Sequence, residues 1–144
     1  MQTAEKTNIA FGLKGIEIIQ SVLNPLPKPG LNEEGFIFNI QVEQKIDAAN
    51  KLIHAIVHIH VLSNEVESEL ASLSTLCVFH VENLDEVLKK ENEKMQLPDH
   101  FINTLSSIAI STSRGIIFTL FRGTYLHRAI LPIIDPAQLK PQIK

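Results

Sequence analysis

Apolar and polar residues alternate with a period of two through the middle of the chain. The even-numbered positions are mostly apolar in 36–46, and the odd-numbered positions are mostly apolar in 52–62 and 70–81. Because side chains of a strand point alternately to two faces, this pattern predicts three strands that each bury one face. The short polar segments 47–50 and 63–69 separate these strands, which predicts antiparallel hairpins.

The register of the first hairpin follows from its turn. A turn symmetric about Ala48 and Ala49 would place Phe38 near Ile59, so that the apolar faces of both strands coincide. A turn centred near Glu67 in the second hairpin extends the same core face to the odd positions of 70–81. The sheet is therefore expected to have one apolar face and one open, mostly polar face.

An earlier apolar run, from about 8 to 23, predicts one more strand. Its apolar positions are odd before Gly15 and even after it. A β-bulge at Gly15 would cause this shift, and so would a strand that is covered on both faces. The Pro-rich segment 24–35 that follows favours an extended loop, because its prolines lack backbone donors.

Helical spacing of apolar residues begins after the strands. A long helix is predicted over 98–122, with Pro98 in its first turn and Gly123 as its stop signal. It is apolar around so much of its circumference that one sheet face cannot cover it. A second covering surface is therefore expected, from another subunit.

Two shorter helices complete the predicted set. The charged segment 83–95 favours a short helix or turn, and Asp135 followed by Pro136 is typical of a capped helix start. The predicted fold class is α+β in a single domain over 1–144. It comprises a four-stranded antiparallel sheet, a long helix and a short C-terminal helix, with helices covering one sheet face.

Composition narrows the functional classes. The 144 residues are 44% hydrophobic, and the net charge of −3 comes without the clustered Lys and Arg that nucleic-acid binding requires. No apolar stretch reaches the roughly 20 residues of a bilayer span. The single cysteine, Cys77, precludes an intrachain disulfide and fits a reducing compartment. We expect a soluble, cytoplasmic protein with no nucleic-acid partner and no membrane insertion.

Three histidines in the segment HAIVHIHV are the candidate metal ligands. His58 and His60 share the open face about 6.5 Å apart along the strand, whereas His54 lies about 13 Å from His58. With the second hairpin centred near Glu67, His80 would lie opposite His54. These are scattered pairs, while zinc needs three or four converging ligands. A small metal- or ligand-binding α+β module that uses this face, with His58 and His60, remains the alternative function.

Catalytic patterns are weak in this chain. Cys77 falls on the predicted core face, which indicates a buried structural thiol rather than a nucleophile. Ser111, Ser113 and His127 lack a GxSxG context. We therefore expect neither an enzyme nor a cofactor.

Late segments carry a family resemblance. SRGIIFTLFRGTY at 113–125, AILPIIDPAQL at 129–139 and TLCVF at 75–79, together with the order of elements, resemble the SecB family of export chaperones. The resemblance spans roughly 15–139. It implies a homotetramer built as a dimer of dimers, with long helices between the dimers. It also implies an ATP-independent holdase for non-native polypeptides, acting in preprotein export or antitoxin protection.

The resemblance also implies two sites. A client-binding groove would lie near the loop between the first two strands and the last helices, at Leu26, Leu31, Tyr125, Leu131, Ile133 and Ile134. The translocation motor SecA would dock on the open sheet face, at Gln20, Asn24, Leu76 and Val78. The leucine matches the family, but the other three positions lack the family's acidic side chains, which counts against SecA as a partner.

Overall fold

The sheet and one long helix organise the chain, and the computed structural model describes residues 8–32, 35–91 and 94–144. The elements are β1 (Phe11–Leu23), β2 (Phe36–Asp47), β3 (Leu52–Ser63), β4 (Val66–Val81), α1 (Leu84–Val87), β5 (Lys89–Glu91), β6 (Lys94–Gln96), α2 (Asp99–Leu120), a 3-10 helix (Pro136–Gln138) and β7 (Gln142–Ile143). The strand order is β1-β4-β3-β2-β7, with β5 and β6 in a separate hairpin. The predicted α+β composition is confirmed.

The predicted core face is correct, although both hairpin registers differ by two residues. Phe38 pairs with Val61 rather than lying near Ile59, because the turn leaves four residues, 48–51, outside the ladder. Asp47 holds this turn, since its carboxylate accepts hydrogen bonds from the Asn50 backbone N–H at 3.3 Å and from Asn50 Nδ2 at 2.9 Å. A two-residue shift preserves parity, so the buried face is unchanged.

The second hairpin turns earlier than predicted. Ser63 pairs with Val66, and an irregularity after Val61 then sets the register of the remaining ladder. As a result His54 pairs with Val78, and His80 pairs with Leu52. The prediction that His80 lies opposite His54 was therefore wrong, because the turn is at 64–65 and not near Glu67.

Strand β1 contains two register shifts. One lies between Leu13 and Gly15, which confirms the predicted bulge, and the second, between Ile18 and Gln20, was not predicted. The first bulge brings even-numbered Ile18 to the same face as odd-numbered Leu13, since they pair with Thr75 and Phe79 of β4. Both side chains lie on the helix-covered face of the sheet, yet they are 48% and 44% exposed. Helix α2 therefore leaves this outer strand largely uncovered.

The core lies between α2 and the inner strands. The odd-numbered side chains of β3 from Ile53 to Val61 are almost fully buried, and α2 packs over β3 and β4. Two polar contacts fix the helix in place. Gln44 Nε2 donates to the Ile102 carbonyl and to Ser106 Oγ, both at 3.0 Å, and Thr75 Oγ1 lies 2.7 Å from Ser113 Oγ. No helix in the described ranges is long and apolar enough to cross a membrane.

The charged segment 83–95, predicted as a short helix or turn, begins with a single helical turn. Only Leu84–Val87 is helical, and the described residues beyond it form the β5–β6 hairpin, while 92–93 lie outside the described ranges. Leu84 and Val87 are the buried residues of this turn. An apolar stripe of one turn is too short to hold a longer helix against the core.

The C-terminal segment departs from the prediction in two ways. Asp135 caps a helix start as expected, with its carboxylate accepting from the Ala137 N–H at 3.0 Å, but the helix is a three-residue 3-10 turn. Strand β7 was not predicted. It pairs in parallel with β2, so the sheet has five strands and is not wholly antiparallel. Two residues are too few for a periodic signal in the sequence.

The buried hydroxyl pair provides a test of how α2 is attached. Ser113 Oγ donates to the Ala109 carbonyl at 2.8 Å, so the Thr75 hydroxyl donates to Ser113. Ser113→Ala leaves the Thr75 donor buried without this acceptor, and we expect it to lower the free energy of unfolding by about 1–3 kcal/mol. Urea denaturation measures this loss. Adding Thr75→Val should recover part of it, and strictly additive losses would contradict the pairing.

Candidate functional site

The Pro-rich loop after β1 is attached to the segment that follows α2. The Tyr125 hydroxyl donates to the Asn24 carbonyl at 2.7 Å and lies 3.2 Å from the Leu70 carbonyl. Burial raises the pKa of Tyr125, which keeps this hydroxyl protonated as a donor. Asn24 is itself fixed to β4, since its backbone N–H donates to the Leu70 carbonyl and its side chain to the Glu69 carbonyl. The two regions of the predicted groove therefore meet here.

The far end of the same loop is held by Glu65 in the β3–β4 turn. The Glu65 carboxylate accepts the Asn32 N–H at 3.2 Å and pairs with Lys28 Nζ at 3.1 Å. The Asn32 hydrogen bond, and next the Lys28 ammonium group, hold the pKa of Glu65 below its ordinary value. The loop thus has an anchor near each end, with Leu26 between them and 46% exposed.

Arg114 fixes the irregular segment after α2. Its Nε donates to the Leu131 carbonyl at 2.9 Å, and its Nη2 donates to the Pro132 carbonyl at 2.8 Å. Leu131 is buried beneath this contact, while the neighbouring Ile133 is 96% exposed. The segment thus presents a large apolar side chain to solvent from a fixed backbone. No local pattern signals this role of Arg114, because its acceptors are carbonyl groups 17 and 18 positions away.

The six residues predicted to line the groove occupy different environments. Leu131 is 2% exposed and belongs to the core, so it offers no surface to a bound chain and is removed from the candidate groove. Leu31, Tyr125 and Ile134 are half-buried against the core. Ile133 and Leu26 are exposed. Binding by the remaining five stays a prediction, with Ile133 as its most accessible member.

Further exposed apolar side chains lie on β1 and on α2, outside the candidate groove. The helix-side face of β1 exposes Leu13, Ile16 and Ile18, and the end of α2 exposes Phe118 and Leu120. The start of α2 reaches β1, where the Phe101 and Phe11 rings meet edge to face with centroids 5.1 Å apart. We call Leu13, Ile16, Ile18, Phe118 and Leu120 the β1–α2 surface. It matches the expectation that one chain cannot cover all of its own apolar area.

Both long edges of the sheet are at least partly open. Among the described strands, β1 has a neighbour on one side alone, and β7 pairs with β2 at Glu43 and Gln44. In β2 the backbone groups of even-numbered residues point outward, since the Gln44 carbonyl and the Ile46 N–H bond to Lys144. The outward groups of Phe36, Phe38 and Ile40 have no partner strand within the described ranges. An extended chain can pair with such an edge.

The open sheet face carries three of the four residues predicted for motor docking. Gln20 pairs with Ser74, Leu76 with Glu17, and Val78 with Gly15, on the face opposite α2. Asn24 lies beyond the end of β1, where its side chain anchors the loop as described above. Docking on this face stays a prediction.

The histidines on the open face engage separate partners. His58 Nδ1 lies 2.8 Å from Ser74 Oγ, and its Nε2 lies 3.6 Å from Glu43 Oε1. His60 Nδ1 contacts Glu69 Oε1 closely. Within the described residues, no three His, Cys, Asp or Glu side chains are grouped as metal ligands are. The arrangement thus offers no support for the metal-binding alternative.

Cys77 lies in the core, as predicted. Its side chain is fully buried, and desolvation raises the pKa of its thiol. The thiolate is the reactive form of cysteine, so this environment disfavours nucleophilic chemistry.

Comparison with known proteins gives a structural match. No family model and no curated protein matches the chain. The solved structure of the SecB-like chaperone Rv1957 of Mycobacterium tuberculosis, in complex with a ChAD peptide from the antitoxin HigA1 (Rv1956), aligns with a TM-score of 0.58 at 16% identity. The alignment covers 86% of this chain and 89% of that one. A protein of unknown function from Streptococcus agalactiae aligns with a TM-score of 0.40 at 12% identity, over 81% and 90% of the two chains.

The match to Rv1957 defines the fold of this chain as SecB-like. The expectation that the sequence resemblance implied for the fold is thereby confirmed.

Protonation of Glu65 should release the Pro-rich loop. Because its pKa is lowered in the folded chain, this carboxylate stabilises the loop above the ordinary carboxyl pKa, and the effect is lost as pH falls through the lowered value. We expect the Asn32 amide resonance to move toward its unstructured position over that acidic range. Glu65→Ala should produce this shift already at neutral pH, whereas Glu67→Ala, in the same hairpin, should not. An Asn32 resonance that is insensitive to both pH and Glu65→Ala would contradict this anchor.

Proposed function

We propose that the chain is an ATP-independent holdase that binds extended, non-native polypeptide segments. The main observation in support is that Ile133, which is 96% exposed, lies on a backbone segment that Arg114 fixes. A large apolar side chain in water is unfavourable in the free protein, and its burial against a client favours binding. Non-native chains expose the apolar side chains that can cover it. Because the segment is already ordered, binding costs little additional conformational entropy.

The half-open edge of β2 supports the same proposal. Backbone pairing is independent of client sequence, because every residue except proline carries one donor and one acceptor. Phe36, Phe38 and Ile40 would supply outward backbone groups along a five-residue stretch of β2, about 13 Å long. Exposed apolar side chains and an unpaired edge together suit a binder of many different extended segments.

The structural neighbour supports a polypeptide as the ligand class. Rv1957 has the same fold and was solved with a peptide from an antitoxin. We propose antitoxin protection or preprotein export as the context. Docking of SecA is the weaker part of this proposal, since Gln20, Asn24 and Val78 offer no negative charge. The proposed activity involves no catalytic step and no cofactor, and we place it in the cytoplasm.

We further propose that the chain assembles as a homotetramer. The β1–α2 surface is apolar on one side of the sheet, and the adjoining β1 edge is unpaired among the described strands. Another copy that pairs along β1 and packs against α2 would cover both features. Full burial of an isoleucine contributes roughly 1.5–3 kcal/mol, and Ile16 and Ile18 are each 48% exposed, so covering each of them in an interface would contribute about half of that.

Substitution at Ile133 tests the client surface. Ile133→Asp places a charge where an apolar client side chain would bind, and we expect client affinity to fall roughly 10-fold or more. The measurement is suppression of aggregation of a denatured client without nucleotide. Ile56→Asp is the matched control, because Ile56 lies on the opposite sheet face in the inner strand β3, away from the candidate groove and from the β2 edge. Wild-type protein that neither delays aggregation nor co-elutes with the client would refute the holdase.

Substitution at Ile18 tests the assembly. Ile18→Asp introduces a charge into the β1–α2 surface, and the protein should then fall to a smaller species in light scattering. The wild-type protein should show roughly four times the 16.1 kDa chain mass. Ile133→Asp should leave this mass unchanged. A monomeric wild-type protein, or a tetramer that is unaffected by Ile18→Asp, would contradict the proposed interface.

A further inference from the structure

Strand β7 covers one end of the β2 edge with the chain's own backbone. The Lys144 N–H donates to the Gln44 carbonyl at 2.8 Å, and the Ile46 N–H donates to the Lys144 carbonyl at 3.0 Å. This segment is extended, parallel to β2 and only two residues long. It therefore occupies an edge in the manner of a short bound peptide.

Polar contacts hold β7 only weakly. Lys144 Nζ lies 3.7 Å from Glu43 Oε2, and the lysine side chain is 57% exposed. Ion pairs exposed to this degree contribute little to stability. The same carboxylate also faces His58, at 3.6 Å through its other oxygen, so it is not dedicated to Lys144.

Apolar packing of β7 is also incomplete. Ile143 is half-buried, and its side chain lines an open cleft of about 770 Å³ together with Ile46, Leu97 and Ile102. It also borders a second cleft, of about 410 Å³, beside Ile102 and Pro141. A side chain with open space on two sides lacks the dispersion contacts that would lock it in place.

We propose that β7 is a built-in competitor for the client strand. It covers the end of the β2 edge when no client is bound, and it moves away so that an extended polypeptide can pair along β2 from Phe36 to Ile46. This inference rests on the proposed holdase function, because the incoming strand is the client. The device would withhold part of the binding edge until a client segment displaces β7.

The position of Ile143 indicates what the displacing segment must contain. Ile143 pairs with Gln44, whose side chain lies on the helix-covered face, so a client residue at this position faces the apolar cleft. The preceding residue pairs with Glu43, which lies on the open face beside His58. The edge therefore fits a strand with an apolar side chain at every second position and polar side chains between them.

The strength of the competition can be bounded. A client that binds only the open form has an apparent dissociation constant equal to the intrinsic one divided by the open fraction. Two backbone hydrogen bonds, a weak ion pair and a half-buried isoleucine favour closure by roughly 10-fold. Removal of β7 should therefore tighten client binding by about the same factor.

Truncation and cross-linking test the inference in opposite directions. A chain that ends at Lys140 should bind an unfolded client about 10-fold more tightly than the full chain. In the full chain, Glu43→Cys and Gln142→Cys place two cysteines on paired residues of adjacent strands. Neighbouring strands lie about 4.8 Å apart, which is within the Cα–Cα range of a disulfide. Oxidation should lower client affinity, and reduction should restore it. Buried Cys77 should not interfere.

The controls separate this inference from the holdase proposal. Lys144→Ala removes the ion pair to Glu43 and should tighten binding slightly, whereas Lys140→Ala removes a charge outside β7 and should change nothing. If the truncated and oxidised forms bind the client as the full chain does, β7 is no competitor and the holdase proposal stands. If no form binds client, the proposed function itself fails.

Amide hydrogen exchange on the free protein gives a client-independent test. The Ile46 N–H donates to the Lys144 carbonyl, directly after β7. The neighbouring Lys45 N–H points toward β3, because backbone groups of successive strand residues point to opposite sides. A displaceable β7 requires the Ile46 amide to exchange about tenfold or more faster than the Lys45 amide. If both amides exchange equally slowly, and only through global unfolding, the inference is overturned.

Discussion

The packing of α2 across β3 and β4 is the constraint on which the remaining structure depends. It buries the odd-numbered side chains of β3 and those of β4 from Ala71 to Val81, and the Gln44 and Thr75 contacts fix where the helix lies. A single helix spans about 10 Å, roughly two strand spacings, so it cannot cover a sheet of this width. The flanking strands therefore need other covering partners, and these partners differ between the two sides of α2.

On the β2 side, the chain covers its own sheet. The segment after α2 returns along the helix, where Arg114 holds it and Leu131 enters the core, and it ends as β7 on the edge of β2. On the β1 side, Ile16 and Ile18 stay about half exposed. The two sides therefore suit different roles. The β1 side suits association between copies. The β2 side suits binding of another polypeptide, because β7 blocks only one end of its edge.

Features with a strong local signal could be predicted from the sequence. Strict alternation in 52–62 determined the core face, and the parity change at Gly15 located a bulge. Hairpin registers were off by two residues because turn length depends on side-chain contacts, such as the Asp47 carboxylate with Asn50, that periodicity does not report. Parity survived those errors, so the open face was identified correctly.

The candidate site was less predictable because it depends on contacts between distant residues. The sequence could not distinguish buried Leu131 from exposed Ile133, since both lie in one irregular apolar segment without a period. That distinction comes from Arg114, one helix away. Nor could the sequence show that Asn24 anchors the loop, because its partners, Glu69 and Leu70, are 45 or more residues away.

The most direct measurement of the central claim is an NMR titration of isoleucine methyl groups with a permanently unfolded client. If the chain holds clients on the surface after α2, the Ile133 and Ile134 methyl resonances should shift first. Ile56, on the open face opposite α2, should keep its position. Shifts confined to Ile56 and its neighbours, or no shifts at saturating client, would contradict the account.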